Sequence, residues 1–154
     1  MNNPFENIRK VRAHLLGYIE GLTTEQINKI PTGFNNNIAW NLAHLVASQQ
    51  GICYVRSGLE TVVDKAFVEA YLPGTKPEKD LSTAEIETVR RLLISTVDRF
   101  EEDYQNKRFA KYTPATVRYG ITLSNIEDAL QFLPFHEGLH TGYIWALKRA
   151  VTAV

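Results

Sequence analysis

Disulfides, basic blocks and long apolar runs are all missing from this sequence. Cys53 is the single cysteine among 154 residues, so no internal disulfide can form and nothing asks for an oxidising compartment. Lys plus Arg and Asp plus Glu both number 17, leaving no net charge with histidine neutral. Without a basic block there are few counterions to release from a phosphate backbone, and nucleic acid is not expected as a partner. No stretch approaches the roughly 20 apolar residues of a membrane span. The opening Met1-Asn2-Asn3-Pro4-Phe5-Glu6 also lacks the basic start and apolar run of a signal peptide. A reduced, soluble, cytoplasmic protein without a membrane partner is the expectation. Strict apolar-polar alternation is almost absent too, which argues against a sheet.

What is present is helical patterning on an ordinary hydrophobic content of 44%. A chain near 150 residues buries roughly 70% of its unfolded surface, enough for one domain over residues 1–154. Phe5, Ile8, Val11, Leu15, Ile19 and Leu22 recur at three- and four-residue steps, one stripe of an amphipathic helix that stops near Gly21. Thr23-x-x-Gln26 fits a capping box opening a short connector before Pro31. Thr32 to Asn37 is rich in turn and cap residues, so a second helix is placed from Ile38 to about Arg56, closed by Ser57-Gly58. It is apolar on more than one side and should lie centrally. A long crossover, Leu59 to Leu81, holds one short helix from Asp64 to Tyr71. Ser82-x-x-Glu85 opens a third helix with the stripe Ile86, Val89, Leu93, Val97, Phe100 and Tyr104. After a polar and aromatic connection, Asn106 to Ile121, Ser124-x-x-Glu127 is read as the cap of a fourth helix running to about Ala150. Pro134 should kink it. Four helices of about 20 residues, each spanning roughly 30 Å, predict an all-α four-helix bundle.

Two of the four histidines, His136 and His140, stand at i and i+4 in the fourth helix. That spacing stacks both imidazoles on one face, where they can reach one metal ion. His136-Glu137-Gly138-Leu139-His140 also matches H-E-x-x-H, the zincin string. A metzincin needs a further histidine downstream, but Tyr143 and Ala146 occupy the places beyond it, so proteolysis is not expected. The third ligand must come from upstream. His44 is the candidate, because it sits mid-helix in the stripe Trp40, Ala47, Gly51 and Tyr54. His14, beside the main stripe of the first helix, is expected at the surface.

The strings Asn37-Ile38-Ala39-Trp40-Asn41-Leu42-Ala43-His44-Leu45 and His136-Glu137-Gly138-Leu139-His140-Thr141-Gly142-Tyr143-Ile144 resemble the DinB/YfiT-like metalloenzymes. The resemblance covers nearly the whole chain. It implies up-down-down-up order with a long crossover between helices two and three, a divalent metal on His44, His136 and His140, and a homodimer. Leu139 and Thr141 stand where many members carry a further histidine and an arginine. Among characterised relatives, the resemblance points to thiol S-transferases that use low-molecular-weight thiols.

Three neutral imidazoles leave a coordination position open for water or substrate. Zinc or nickel is the expected ion, and the chemistry is thiol transfer or hydrolysis of a small-molecule substrate. Glu137 either orients a water or ligand or pairs with a basic residue of a neighbouring helix. Trp40, Asn41 and Tyr143 lie near the histidines by helical spacing and are candidates to line a substrate pocket. The alternative is a non-enzymatic dimerisation or ligand-binding module with a structural or vestigial metal site.

Overall fold

Helix capping explains where most elements of the computed structural model begin. It describes residues 3–153, so Met1, Asn2 and Val154 of the expected 1–154 domain lie outside the described residues. Helix α1 (Pro4–Tyr18) is capped by the Asn3 side chain, which accepts from the Phe5 amide. The short α2 (Thr24–Asn28) carries the expected reciprocal box between Thr23 and Gln26. Asn37 caps α3 (Ile38–Gln49), every residue of which is buried. The chain then runs through a π-helical turn, Gln50–Tyr54, and a 3-10 turn, Val55–Ser57, ending at Gly58 in the left-handed region at φ 68°. This bears out the sequence reading of a central helix closed by Ser57-Gly58. Consecutive glutamines at the start of the wide turn are both buried: Gln49 donates to the Thr96 carbonyl, and Gln50 accepts from the Val62 amide.

In the crossover, Asp64 caps α4 (Lys65–Ala70). Ser82 and Glu85 form the reciprocal box at the head of α5 (Thr83–Gln105). The connection after α5 contains a small antiparallel pair, β1 (Ala115–Thr116) and β2 (Thr122–Leu123), which two-residue strands left no alternation to reveal. The cap of α6 (Ile126–Thr152) corrects the sequence reading. Asn125, not Ser124, accepts from the Asp128 amide, and Asp128 in turn takes the Ser124 amide. Glu127, freed from that box, faces the Tyr104 hydroxyl instead. The helix continues through Pro134 to Thr152.

Helix α1 packs on α5 and α6, and α3 packs on the same two, which makes the long helices an all-α bundle. Apolar burial divides into two clusters. One gathers Leu15, Leu42, Leu45, Leu93, Ile144 and Leu147; the other gathers Phe5, Ile8, Tyr54, Phe100, Ile126 and Leu133. Between the two lies a layer of buried polar side chains, Arg12, Gln49, Thr96 and Glu137, each flanked along the chain by members of both clusters.

Candidate metal centre

Residues 44 on α3 and 136 and 140 on α6 converge because α3 packs directly on α6. One ligand nitrogen from each of His44, His136 and His140 lies within 4.8 Å of the others. Ring centroids are separated by 4.6 Å for His44 and His140, 4.6 Å for His136 and His140, and 5.3 Å for His44 and His136. Such a cluster can hold a metal ion, whose bonds to imidazole nitrogen span about 2.0–2.1 Å.

The protonation state suits that use. Burial lowers His136 to about 3, with His140, His44 and the Arg12 charge adding to the effect. Burial and then His44 lower His140 to about 4. His44 is also lowered by burial, opposed by its bond to the Tyr71 carbonyl. All three imidazoles are therefore neutral near pH 7, the form that binds metal.

Each ring has a different support. His44 Nδ1 donates to the Tyr71 carbonyl at 2.6 Å, just past α4 in the crossover. A carbonyl only accepts, so Nε2 of His44 keeps a lone pair, which the buried Ser48 hydroxyl approaches at 3.1 Å. The Trp40 indole stacks on His44 at 4.5 Å with planes 12° apart, and its Nε1 donates to Thr75. His140 Nδ1 lies 2.8 Å from Asn41 Oδ1. His136 Nδ1 is buried without a hydrogen-bond partner among the described residues. An orphaned imidazole nitrogen beside two supported ones fits a group that accepts nitrogen donors.

Of the other residues singled out from sequence, Trp40 and Asn41 touch the histidines. The Tyr143 ring instead packs edge-on against Phe34 at 5.6 Å. His14 is exposed, between Tyr18 and Trp145. Glu137, fully buried, turns away to Arg12, whose Nε and Nη2 donate to Oε1 at 3.0 and 2.6 Å. Burial pushes the Glu137 carboxyl up and the Arg12 charge opposes it. Arg12 also donates to the carbonyls of Leu45 and Leu93 and to the side chains of Gln49 and Thr96, joining α1, α3, α5 and α6.

With this geometry in place, comparison with protein families matches residues 7–144 to the DinB superfamily. The chain belongs to the DinB superfamily. No curated protein matches it. The match takes in the three histidines, Asn41, Arg12 and Glu137, so both buried polar sites fall inside the DinB-like region. Sequence reading missed Arg12, though a signal was there. Phe5, Ile8, Arg12, Leu15 and Ile19 are spaced by three and four, which puts a cation in an apolar seat. Ser48 and the Tyr71 carbonyl were missed as well. Ser48 lies one turn beyond His44 and was open to the same spacing argument, whereas a backbone carbonyl carries no residue-type signal.

Proposed function

We propose that His44, His136 and His140 hold one divalent ion, zinc or nickel, and that the chain is a metal-dependent enzyme acting on a small molecule. The observation that carries this reading is the convergence of three neutral imidazoles, two of them already committed at Nδ1 to oxygen acceptors. A divalent ion held there would supply Lewis-acid activation of a water or of a thiol at its open position. Thiol transfer and hydrolysis both follow from that one property, and a low-molecular-weight thiol is the proposed co-substrate of the first. The chain's own contribution is to hold the ligands neutral, to wall one side of His44 with the Trp40 ring, and to anchor that wall on Thr75.

Metal analysis of protein purified without a nickel column tests the site: one equivalent per chain is expected, and none in His136→Ala. Activity is tested with a panel of thiols and electrophilic acceptors, beside ester, amide and peptide substrates. Turnover in the metal-loaded protein should vanish with chelation and in His44→Ala. Equal turnover in that variant would remove the metal from the chemistry. We also propose a homodimer. Support comes from the outer face of α6, where Phe135, Leu139, Tyr143 and Trp145 are exposed on one helix. Light scattering at tens of micromolar should give twice the chain mass.

A further inference from the structure

The amide of Asn41 is wholly buried, and its orientation is settled by what its own donors do. Nδ2 donates to the Asn37 carbonyl at 2.8 Å and to Asn36 Oδ1 at 3.0 Å, and both of those atoms only accept. Oδ1 is therefore the atom that meets His140 Nδ1 at 2.8 Å. Asn37 is immobilised in turn: its Oδ1 caps the Trp40 amide and its Nδ2 donates to the Asn28 carbonyl. Asn36 and Asn37, in a stretch that reads from sequence as a turn and cap, are thus the frame that holds a third asparagine against α6.

An amide oxygen can only accept, so the proton of neutral His140 sits on Nδ1 and the lone pair on Nε2. We propose that Asn41 is a positioning residue, which sets His140 as its Nδ1-protonated tautomer and so leaves Nε2 as the nitrogen presented to a metal ion. This rests on the metal-centre reading above and replaces the pocket-lining role expected for Asn41. Alanine would supply no acceptor, and serine would not span the gap that the longer amide bridges. Aspartate would keep the acceptor while losing both donors to the asparagine frame.

The test uses nitrogen-15 imidazole spectra of the metal-free protein and zinc affinity by competition with a chromogenic chelator. In wild type, His140 should show a protonated Nδ1 and an unprotonated Nε2. In Asn41→Ala the proton should move to Nε2 in part or in full, and zinc affinity should fall about 10- to 100-fold. Asn41→Asp should retain the wild-type tautomer. His44, tied to the Tyr71 carbonyl, should keep its own tautomer in both variants and serves as the internal reference. A wild-type His140 protonated at Nε2 overturns the proposal without any variant, so the test survives an Asn41→Ala protein that does not fold. A folded Asn41→Ala with unchanged tautomer overturns it too, whatever its zinc affinity, since affinity lost without a tautomer change would mark a merely structural role. Wild-type protein with the expected tautomer but no zinc uptake would sink the metal centre, and the purpose assigned to Asn41 with it.

Discussion

Consecutive residues of α6, His136 and Glu137, point about 100° apart and enter two buried polar sites that solve the same problem in opposite ways. On the Glu137 side, one guanidinium gathers acceptors from α3, α5 and α6, and every nitrogen of Arg12 is used. On the His136 side, three neutral rings face one another, and among the described residues His136 Nδ1 has no hydrogen-bond partner while the lone pair of His44 meets the Ser48 hydroxyl. A polar group removed from water must be satisfied internally or it destabilises the fold. The first site meets most of that demand with the protein's own atoms, only Glu137 Oε2 lacking a partner among the described residues, and so fastens four helices at mid-height. The second leaves a buried imidazole nitrogen unsatisfied, a demand that the proposed ion would meet. Burial answered mainly from within is structural cement, whereas convergent imidazole lone pairs without hydrogen-bond donors fit a binding site.

The largest effect should come from breaking the closed site. Arg12→Ala strands the Glu137 carboxylate in the core and should cost about 3–5 kcal/mol in denaturant unfolding, whereas Arg12→Met with Glu137→Leu should recover much of that loss. If Arg12→Ala proves as stable as wild type to within about 1 kcal/mol, the contrast between the two sites is lost.

Next in size is ligand linkage at the open site. Metal at 100 to 1,000 times its dissociation constant should stabilise wild type by about 3–4 kcal/mol, read as a rise in Tm. His136→Ala and His140→Ala should lose that increment while keeping helical circular dichroism. A metal-dependent rise of equal size in both variants would place the ion elsewhere.

Acid should separate the sites in metal-free protein. Buried His136 and His140 sit at about 3 and about 4 when folded, below the ordinary histidine value of 6.5. The unfolded chain therefore binds more protons as pH falls below 6.5, and their contribution, full above that value, is lost as pH drops toward 4 and then 3. Unfolding free energy should decline by about 2 kcal/mol or more between pH 7 and pH 4, and His136→Ala should flatten the slope. A wild-type profile that is level across this range would mean that the rings are solvated.

The smallest effect is expected at the surface. His14→Ala removes an exposed ring beside Tyr18 and Trp145 and should leave metal content unchanged, with stability within about 0.5 kcal/mol of wild type. Loss of metal in this variant would extend the centre to α1.

Much of the fold was legible because helices advertise themselves locally. The three- and four-residue stripes of α1 and α5, the boxes at Thr23 and Ser82, and an α3 apolar on more than one side all depend on neighbours within a turn or two. The cap of α6 was misplaced by one residue, since Ser124 and Asn125 are both good acceptors and only the backbone angle at the junction chooses between them. The site was legible in parts. His136 and His140 share a helix face by spacing alone, and His44 was found from its place in an apolar stripe and from the family resemblance. The roles within the site were less visible. Asn41 was noticed for its nearness to the histidines, yet its task followed only from where its donors went.

By itself, the sequence determined an all-α chain, the limits of its long helices to within a few residues, and two histidines placed to share a metal ion. Each of those properties is local and is carried by residue type and period. Only the tertiary structure decided which acceptors Arg12 gathers from its apolar seat, that Glu137 answers to it rather than to the histidines, and that Tyr71 and Asn41 support two of the three rings. The physical reason is sequence separation. Arg12 and Glu137 are 125 residues apart, Asn41 and His140 are 99 apart, and His44 reaches a backbone carbonyl 27 residues away. Such pairings leave no periodic trace, because helix packing alone brings them within hydrogen-bond reach.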